Sequence, residues 1–314
     1  MGTGGIAAAL TEAITAEGGT VVAVSSASAD RAEAFAAEHG IARHYGRHHE
    51  LTADADVEVV YVATTNERHH LDVRACIEAG LPVLAEKPFA LDLPRTRELL
   101  ELAREHGVFV MEAMWMKLQP GFLDLQRRIA AGEIGPPRLV QADFGIVATA
   151  ETDRRWFSRE LGGGALLDVG IYPLTFAIAI LGAPTKIVAV GELAATGVDA
   201  QVAVAMQHDG GLSSWSCSFV ADTGIEATVA GPAGSLRVRS ELHHSPGISR
   251  RLRSDTLEHG EAVGHDLGYR WEVREVDRCL DEGLVESRII PHAATIEVME
   301  ALDEIRRQVG VTYP

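Results

Sequence analysis

Through the first third of the chain, short apolar runs alternate with helical stretches, and this alternation constrains the fold more than any other feature. Residues 20–25 (TVVAVS), 57–64 (VEVVYVAT), 82–85 and 108–111 read as buried strands. Residues 30–39, 68–79 and 93–106 between them read as helices. Short buried strands separated by helices of roughly ten to fifteen residues mean βαβ units and a parallel sheet. The three helices stop at Gly40, Gly80 and Gly107, the residue type that readily turns left-handed past a helix end. His39 and His106, just before two of those glycines, complement the helix dipole.

From about residue 137 the pattern changes. Residues 138–147, 185–193, 198–208, 212–220, 225–230 and 235–239 read as consecutive strands, with turns at Asp209-Gly210-Gly211 and 231–234. Val202, Val204 and Met206 alternate with less apolar neighbours, as in a sheet with one covered face. Helices at 269–282 and 291–308 close the chain. The expected fold class is α/β: a Rossmann-type parallel sheet over 1–117, then an α+β domain over 118–314 built on a large, mainly antiparallel sheet.

Gly2-Thr3-Gly4-Gly5-Ile6-Ala7 fits G-x-G-x-x-A and leads into a helix. In a dinucleotide fold the first glycine makes the turn and the second admits the pyrophosphate. The third small residue packs helix on strand, and the helix N-terminus receives negative charge. Such a motif should follow a strand, the central one of its sheet, and here only Met1 precedes it. The expectation is a start farther upstream, with roughly six more β-branched or aliphatic residues. At the end of the strand over 20–25 an acidic residue would favour NAD. Instead Ser25-Ser26-Ala27-Ser28 stands there, with Arg31 a helical turn on. Hydroxyls plus an arginine hold a phosphate, which tilts the cofactor towards NADP, with NAD as the alternative.

Two further segments carry chemistry. Glu86-Lys87-Pro88 ends an apolar strand, where open α/β sheets bind ligands, and the proline stiffens the lysine's backbone. A water-facing strand end would share that pattern. Within Gly162-Gly163-Gly164-Ala165-Leu166-Leu167-Asp168-Val169-Gly170-Ile171-Tyr172-Pro173, Asp168 and Tyr172 are spaced to share one helix face. A nearby lysine would favour the phenolate; Asp168 capping a helix while Tyr172 packs is the plainer alternative.

Together the segments resemble the Gfo/Idh/MocA oxidoreductase family: GTGGIA at the start, AEKPF at 85–89, MEAMW at 111–115 and GGGALLDVGIYP at 162–173. The last two are most similar to the dimeric dihydrodiol dehydrogenase and NADP-dependent D-xylose dehydrogenase branch. The resemblance spans nearly the whole chain and implies Lys87, Asp168 and Tyr172 as the catalytic set, with Tyr172 as general acid/base. It implies Thr64, Thr65 and Asn66 at the cofactor crevice beside Glu86, Lys87 and Pro88, with His69 near the nicotinamide. Trp115 and Phe144 would wall the substrate pocket, although Trp115 equally suits a core aromatic. A homodimer through the C-terminal sheet is implied too. Two departures stand out: the missing first strand, and Ala27 where NADP-binding relatives often carry arginine.

Charge and cysteine usage narrow the remaining classes. With 28 Lys+Arg against 45 Asp+Glu, the formal charge of −17 repels nucleic acid and anionic membrane. Cys76, Cys217 and Cys279 are few and widely spaced, which suits a reducing, cytoplasmic setting. Histidines cluster at His44, His48, His49, at His69, His70 and at His243, His244, but without metal-ligand spacing, so no metal is expected. No G-x-S-x-G elbow occurs. The reading is an NAD(P)-dependent dehydrogenase moving a hydride between nicotinamide and a carbinol carbon of a sugar, polyol or cyclic trans-diol. Its alternatives are a non-catalytic NADP-binding redox or sugar sensor, and a reductase of a keto sugar or imine.

Overall fold

The computed structural model describes residues 1–149, 154–244, 248–252, 257–259 and 268–314. The chain divides into two units, Met1–Trp115 with Leu267–Ile296, and Met116–Asp266 with Glu297–Pro314. The division expected from sequence put everything after 117 in the second domain; residues 267–296 instead return to the first.

The first unit contains α1 (Gly5–Ala16), β1 (Ala23–Ser25), α2 (Ala29–His39), β2 (Arg43–Tyr45), α3 (His48–Leu51), β3 (Val60–Val62), α4 (His69–Glu78), β4 (Val83–Glu86), α5 (Leu93–His106) and β5 (Val110–Ala113). Helix α5 shows why the periodic reading works. Asp92 caps it by accepting from the Arg95 amide at 2.9 Å, proline sits in its first turn, and Gly107 ends it in the left-handed conformation. All strand pairs in this unit are parallel, but the sheet comes in two pieces, β1–β2 and β3–β4–β5. Val60, Val62, Val83 and Val110 bury against Val73, Ile77 and Leu99. Strands expected over six and eight residues shorten here to three each.

The second unit begins with α6 (Pro120–Ala130) and β6 (Leu139–Gly145), then α7 (Ile171–Leu181) and seven more strands. These are β7 (Pro184–Leu193), β8 (Asp199–His208), β9 (Leu212–Ser218), β10 (Ala227–Gly231), β11 (Gly234–Val238), β12 (Ile248–Leu252) and β13 (Leu257–His259). They form one eight-stranded sheet in the order β13-β12-β11-β10-β6-β9-β8-β7. Every pair is antiparallel except β6–β9. Helix α7 is apolar all round, with Phe176 fully buried and packed edge-on against Phe122 of α6, as a helix inside a core must be.

Two helices complete the chain, α8 (Arg270–Asp281) and α9 (His292–Val309). Helix α8 belongs to the first unit because Glu17, at the end of α1, binds Arg270 and Arg274 together. Among the described residues, no helix is long and apolar enough to cross a membrane.

Candidate active site

The N-terminus of α1 is a backbone cradle. Gly2 has φ +103°, and a Cβ there would collide with the Ala63 carbonyl, so no other residue fits the turn. Gly4 caps α1 without a side-chain bond, no acidic residue lies in the first turn, and a Cβ at Gly4 or Gly5 would meet only open space. Gly4, Gly5 and Ile6 are exposed, Thr3 is half-buried, and Ala7 packs in the cluster with Val24 and Phe35. Uncapped first-turn amides and the positive end of the helix favour a phosphate there.

The hydroxyls expected at the ribose end are partly committed elsewhere. Ser25 is fully buried, and its Oγ lies 2.9 Å from His48 Nδ1. A buried hydroxyl needs such a partner, so Ser25 supports the strand end from behind instead of meeting a ligand. Burial in turn pushes the His48 pKa down. Ser26 Oγ accepts from the Ser28 amide at 3.4 Å, and Ser28 Oγ caps α2 by accepting from the Arg31 amide. The Arg31 side chain is exposed.

At the ends of β3 and β4 the expected crevice residues gather within the first unit. Asn66 is buried, Thr64 and Thr65 are half-buried, and Thr65 Oγ1 donates to Glu67 Oε1 at 2.6 Å. The buried Thr64 Oγ1 has no hydrogen-bond partner among the described residues. An orphaned hydroxyl beside an uncapped helix N-terminus is the donor set that a dinucleotide would satisfy. His69 is fully buried; its Nδ1 lies 2.8 Å from the Pro88 carbonyl and its Nε2 3.1 Å from the Thr64 carbonyl. Burial lowers its pKa. A carbonyl only accepts and a neutral imidazole carries one N–H, so His69 donates to one of these two carbonyls at a time, between the loops at Thr64 and Pro88.

Lys87 is half-buried directly after β4. Its amide donates to the Glu86 side chain at 3.1 Å, and Tyr61 donates its hydroxyl proton to the other Glu86 oxygen. Burial, then the Glu86 charge, hold the Tyr61 phenol well above its ordinary range. Glu112 supports the same turn from below: it accepts from the Phe89 amide at 3.1 Å and from Thr295 Oγ1 at 2.9 Å. Sequence reasoning missed Glu112, although it lies inside the MEAMW segment. Trp115 is buried and stacks on Tyr269 at 4.6 Å.

The second unit brings together the other expected residues. Asp168 sits in a wide π-type turn, Leu166–Gly170, that runs directly into α7, and Tyr172 lies in the first turn of α7. Such wide turns recur at functional sites. The turn is anchored by Asp199 of β8, whose Oδ2 accepts from the Leu166 amide at 2.5 Å. Gly164, at φ +120°, leaves room for that carboxylate; a Cβ there would strike it. Burial raises the Asp199 pKa to about 6. The glycine run therefore lets the loop approach the protein's own strand.

Tyr172 is buried, with its ring 5.5 Å from Phe144 and 5.3 Å from His243; Phe144 and His243 stack at 4.7 Å. Arg155 Nη2 lies 3.7 Å from Asp168 Oδ1. Neither Arg155 nor His243 was singled out by sequence reasoning. Arg155 is distant in sequence from the carboxylate it faces, and His243 looked like half of an ordinary histidine pair. Among the described residues, no group of three or more His, Cys, Asp or Glu side chains is arranged to hold a metal ion.

Comparison with known proteins adds to this geometry. The family model for the oxidoreductase NAD-binding Rossmann fold matches residues 1–114, and that for the GFO/IDH/MocA C-terminal domain matches residues 122–237. Trans-1,2-dihydrobenzene-1,2-diol dehydrogenase of Bos taurus is 35% identical over 303 residues, covering 94% of this chain and 90% of its own. The Mus musculus enzyme of the same name is 36% identical with the same coverage. Among solved structures, a variant of the 3-ketoreductase from Actinomadura kijaniata, in complex with TDP-benzene and NADP, superposes with TM-score 0.88 at 25% identity. It covers 98% of this chain and 96% of its own. Levoglucosan dehydrogenase, in complex with NADH and levoglucosan, also gives TM-score 0.88, at 19% identity, and shares the fold over 98% of this chain and 95% of its own.

Proposed function

Because the chain belongs to the GFO/IDH/MocA oxidoreductase family and is an NAD(P)-dependent dehydrogenase, we propose that it oxidises a carbinol carbon of a cyclic trans-diol or a sugar, with NADP as the preferred cofactor. The observation that carries this reading is the pairing of a cofactor cradle at residues 2–7 with an Asp168–Tyr172 turn built into the second unit. The relatives named for dihydrodiol oxidation support the diol. The ketoreductase and its NADP support the same atoms run in the opposite direction on a keto sugar.

A bound nicotinamide supplies the hydride acceptor. The amides of Gly4, Gly5, Ile6 and Ala7 would hold its pyrophosphate, with Thr3 at the edge of the turn. Arg31 would meet the 2′-phosphate, and Thr64, Thr65, Asn66 and the Glu86-Lys87-Pro88 backbone would border the nicotinamide side. Tyr172 takes the proton of the reacting hydroxyl as the carbon–hydrogen bond breaks and the carbonyl forms. Lys87 holds that oxygen and stabilises its developing negative charge. Asp168, flanked by Arg155, receives a hydrogen bond from the substrate's second hydroxyl. Phe144 walls the sugar or diol ring. Trp115, with one face already on Tyr269, offers only its other face.

The second unit also supports a homodimer through its sheet: edge strand β7 exposes Val188 and Val190 on one face. Three buried free cysteines and the acidic charge support a cytoplasmic setting. The test is purified protein with NADP⁺ or NAD⁺ and a panel of cyclic diols and aldoses, followed by nicotinamide absorbance. Lys87→Met and Tyr172→Phe are each expected to lose about a thousandfold in kcat, in keeping with general acid–base and oxyanion effects, while cofactor binding survives. Wild-type rates in both variants would refute the assignment, and binding without turnover across the whole panel would favour a sensor.

A further inference from the structure

The turn that carries Asp168 cannot hold itself. Leu166–Gly170 starts from Ala165, which makes no side-chain cap, and Gly162, Gly163 and Gly164 come just before it. First-turn amides fray unless another group accepts from them. Asp199 of β8 does so for Leu166, at 2.5 Å.

The start of β8 departs from its own pattern to bring that carboxylate in. Val202, Val204 and Met206 are buried while Ala203, Ala205 and Gln207 are exposed, so strict alternation would send Asp199 to the exposed face. The pairing with β7 slips at this point. Glu192 faces Gln201 but Leu193 faces Asp199, two steps on β8 against one on β7. Such an irregularity re-aims a side chain, and Asp199 comes out fully buried.

A neutral cap would avoid the cost of burying a charge. Burial raises the Asp199 pKa to about 6, while the Leu166 amide and Arg306 of α9 work against that rise, so the group is charged at neutral pH. Its other oxygen, Oδ1, has no hydrogen-bond partner among the described residues and fills the space where a Cβ on Gly164 would stand.

The segment after α9 closes the loop from another side. Tyr313 donates its hydroxyl proton to the Gly163 carbonyl at 2.6 Å, and its ring lies 5.3 Å from the Arg306 guanidinium carbon. Arg159, ahead of the glycines, donates to the Thr312 carbonyl at 2.6 Å and to the Thr312 hydroxyl at 2.9 Å. A Cβ on Gly163 would strike the Trp156 and Arg155 carbonyls. The same loop therefore packs on the backbone of Arg155, the partner of Asp168.

We infer that Asp199 and Tyr313 form a clamp on residues 163–166 and are positioning residues for Asp168 and Tyr172, acting through the turn and not on substrate. Their effect on turnover rests on the oxidoreductase reading above; their effect on the turn does not. Misplacing a reacting group by about 1 Å costs on the order of a hundredfold in rate, so a charged cap fixed by two strands and a second tether suits this turn.

The test reads amide exchange across residues 163–172, without cofactor or substrate, in Asp199→Ala, Asp199→Asn and Tyr313→Phe, beside kcat and cofactor Kd. Exchange is expected to quicken roughly tenfold in Asp199→Ala. It should quicken about threefold in Asp199→Asn, whose neutral oxygen still accepts, and in Tyr313→Phe. The kcat should fall about a hundredfold in Asp199→Ala and about tenfold in the other two, with cofactor Kd unchanged. Should Asp199→Ala fail to fold, the other two variants decide alone. Wild-type exchange in either of them, or faster exchange with wild-type kcat, would overturn the proposal. So would cofactor binding that weakens in step with kcat, the mark of general loosening. A wild type that turns over no diol or sugar would refute the reading of the reaction, while exchange would still decide the clamp.

Discussion

In the proposed reading, the two units offer ligands different materials. In the first, the surface is mostly backbone: a glycine turn, the uncapped amides of α1 and the carbonyl-pinned loops at Thr64 and Pro88. In the second, it is side chains: Asp168 beside Arg155, and Tyr172 against Phe144 and His243. A backbone cradle tolerates many sequences provided a few small residues keep its shape, so it suits the part of a ligand that never changes. A side-chain surface changes with each substitution, so it suits chemistry and substrate choice. Substitutions in the first unit's backbone cradle should therefore act through binding and stability, and those at Lys87, Asp168 and Tyr172 through turnover.

The largest stability effect should come from Gly2→Ala. It places a Cβ against the Ala63 carbonyl at a positive φ, and strain plus overpacking of this kind cost about 3 kcal/mol or more. Denaturant melting should show that loss along with weakened cofactor binding; an unchanged midpoint would mean that the turn relaxes and the cradle is not rigid.

The smallest effect belongs to the exposed Arg31. Arg31→Ala should weaken NADP⁺ binding about tenfold, the worth of one charge-assisted bond, and leave NAD⁺ binding unchanged. Equal weakening of both cofactors, measured by calorimetry, would remove the 2′-phosphate from its neighbourhood.

Legibility in the sequence followed the same division. Helix α5 was readable to the residue because Asp92, the first-turn proline and Gly107 all mark it locally. The cradle was readable because glycine spacing is local as well. Strands β1 and β3 came out shorter than their sequences imply, since strand length is set by pairing, and β2 and β4 pair with them only over Ala23–Ser25 and Val60–Val62. Strand β2 is short and polar and carries no periodic signal. Asp168 and Tyr172 could be picked out, but not the wide turn that holds Asp168, because its anchor, Asp199, comes from β8. Ser25 and His69 were read as ligand contacts because residue type was visible and burial was not. Their partners, His48 and the carbonyls of Pro88 and Thr64, are supplied by the fold.

The central proposal is that Lys87 and Tyr172 serve the same chemical step. Kinetics of Lys87→Met, Tyr172→Phe and the double variant test it most directly, because groups that work as a unit are strongly non-additive. The double variant is expected to lose about as much kcat as the worse single variant, with cofactor affinity within a few-fold of wild type. Losses that multiply would show two independent contributions and contradict the account.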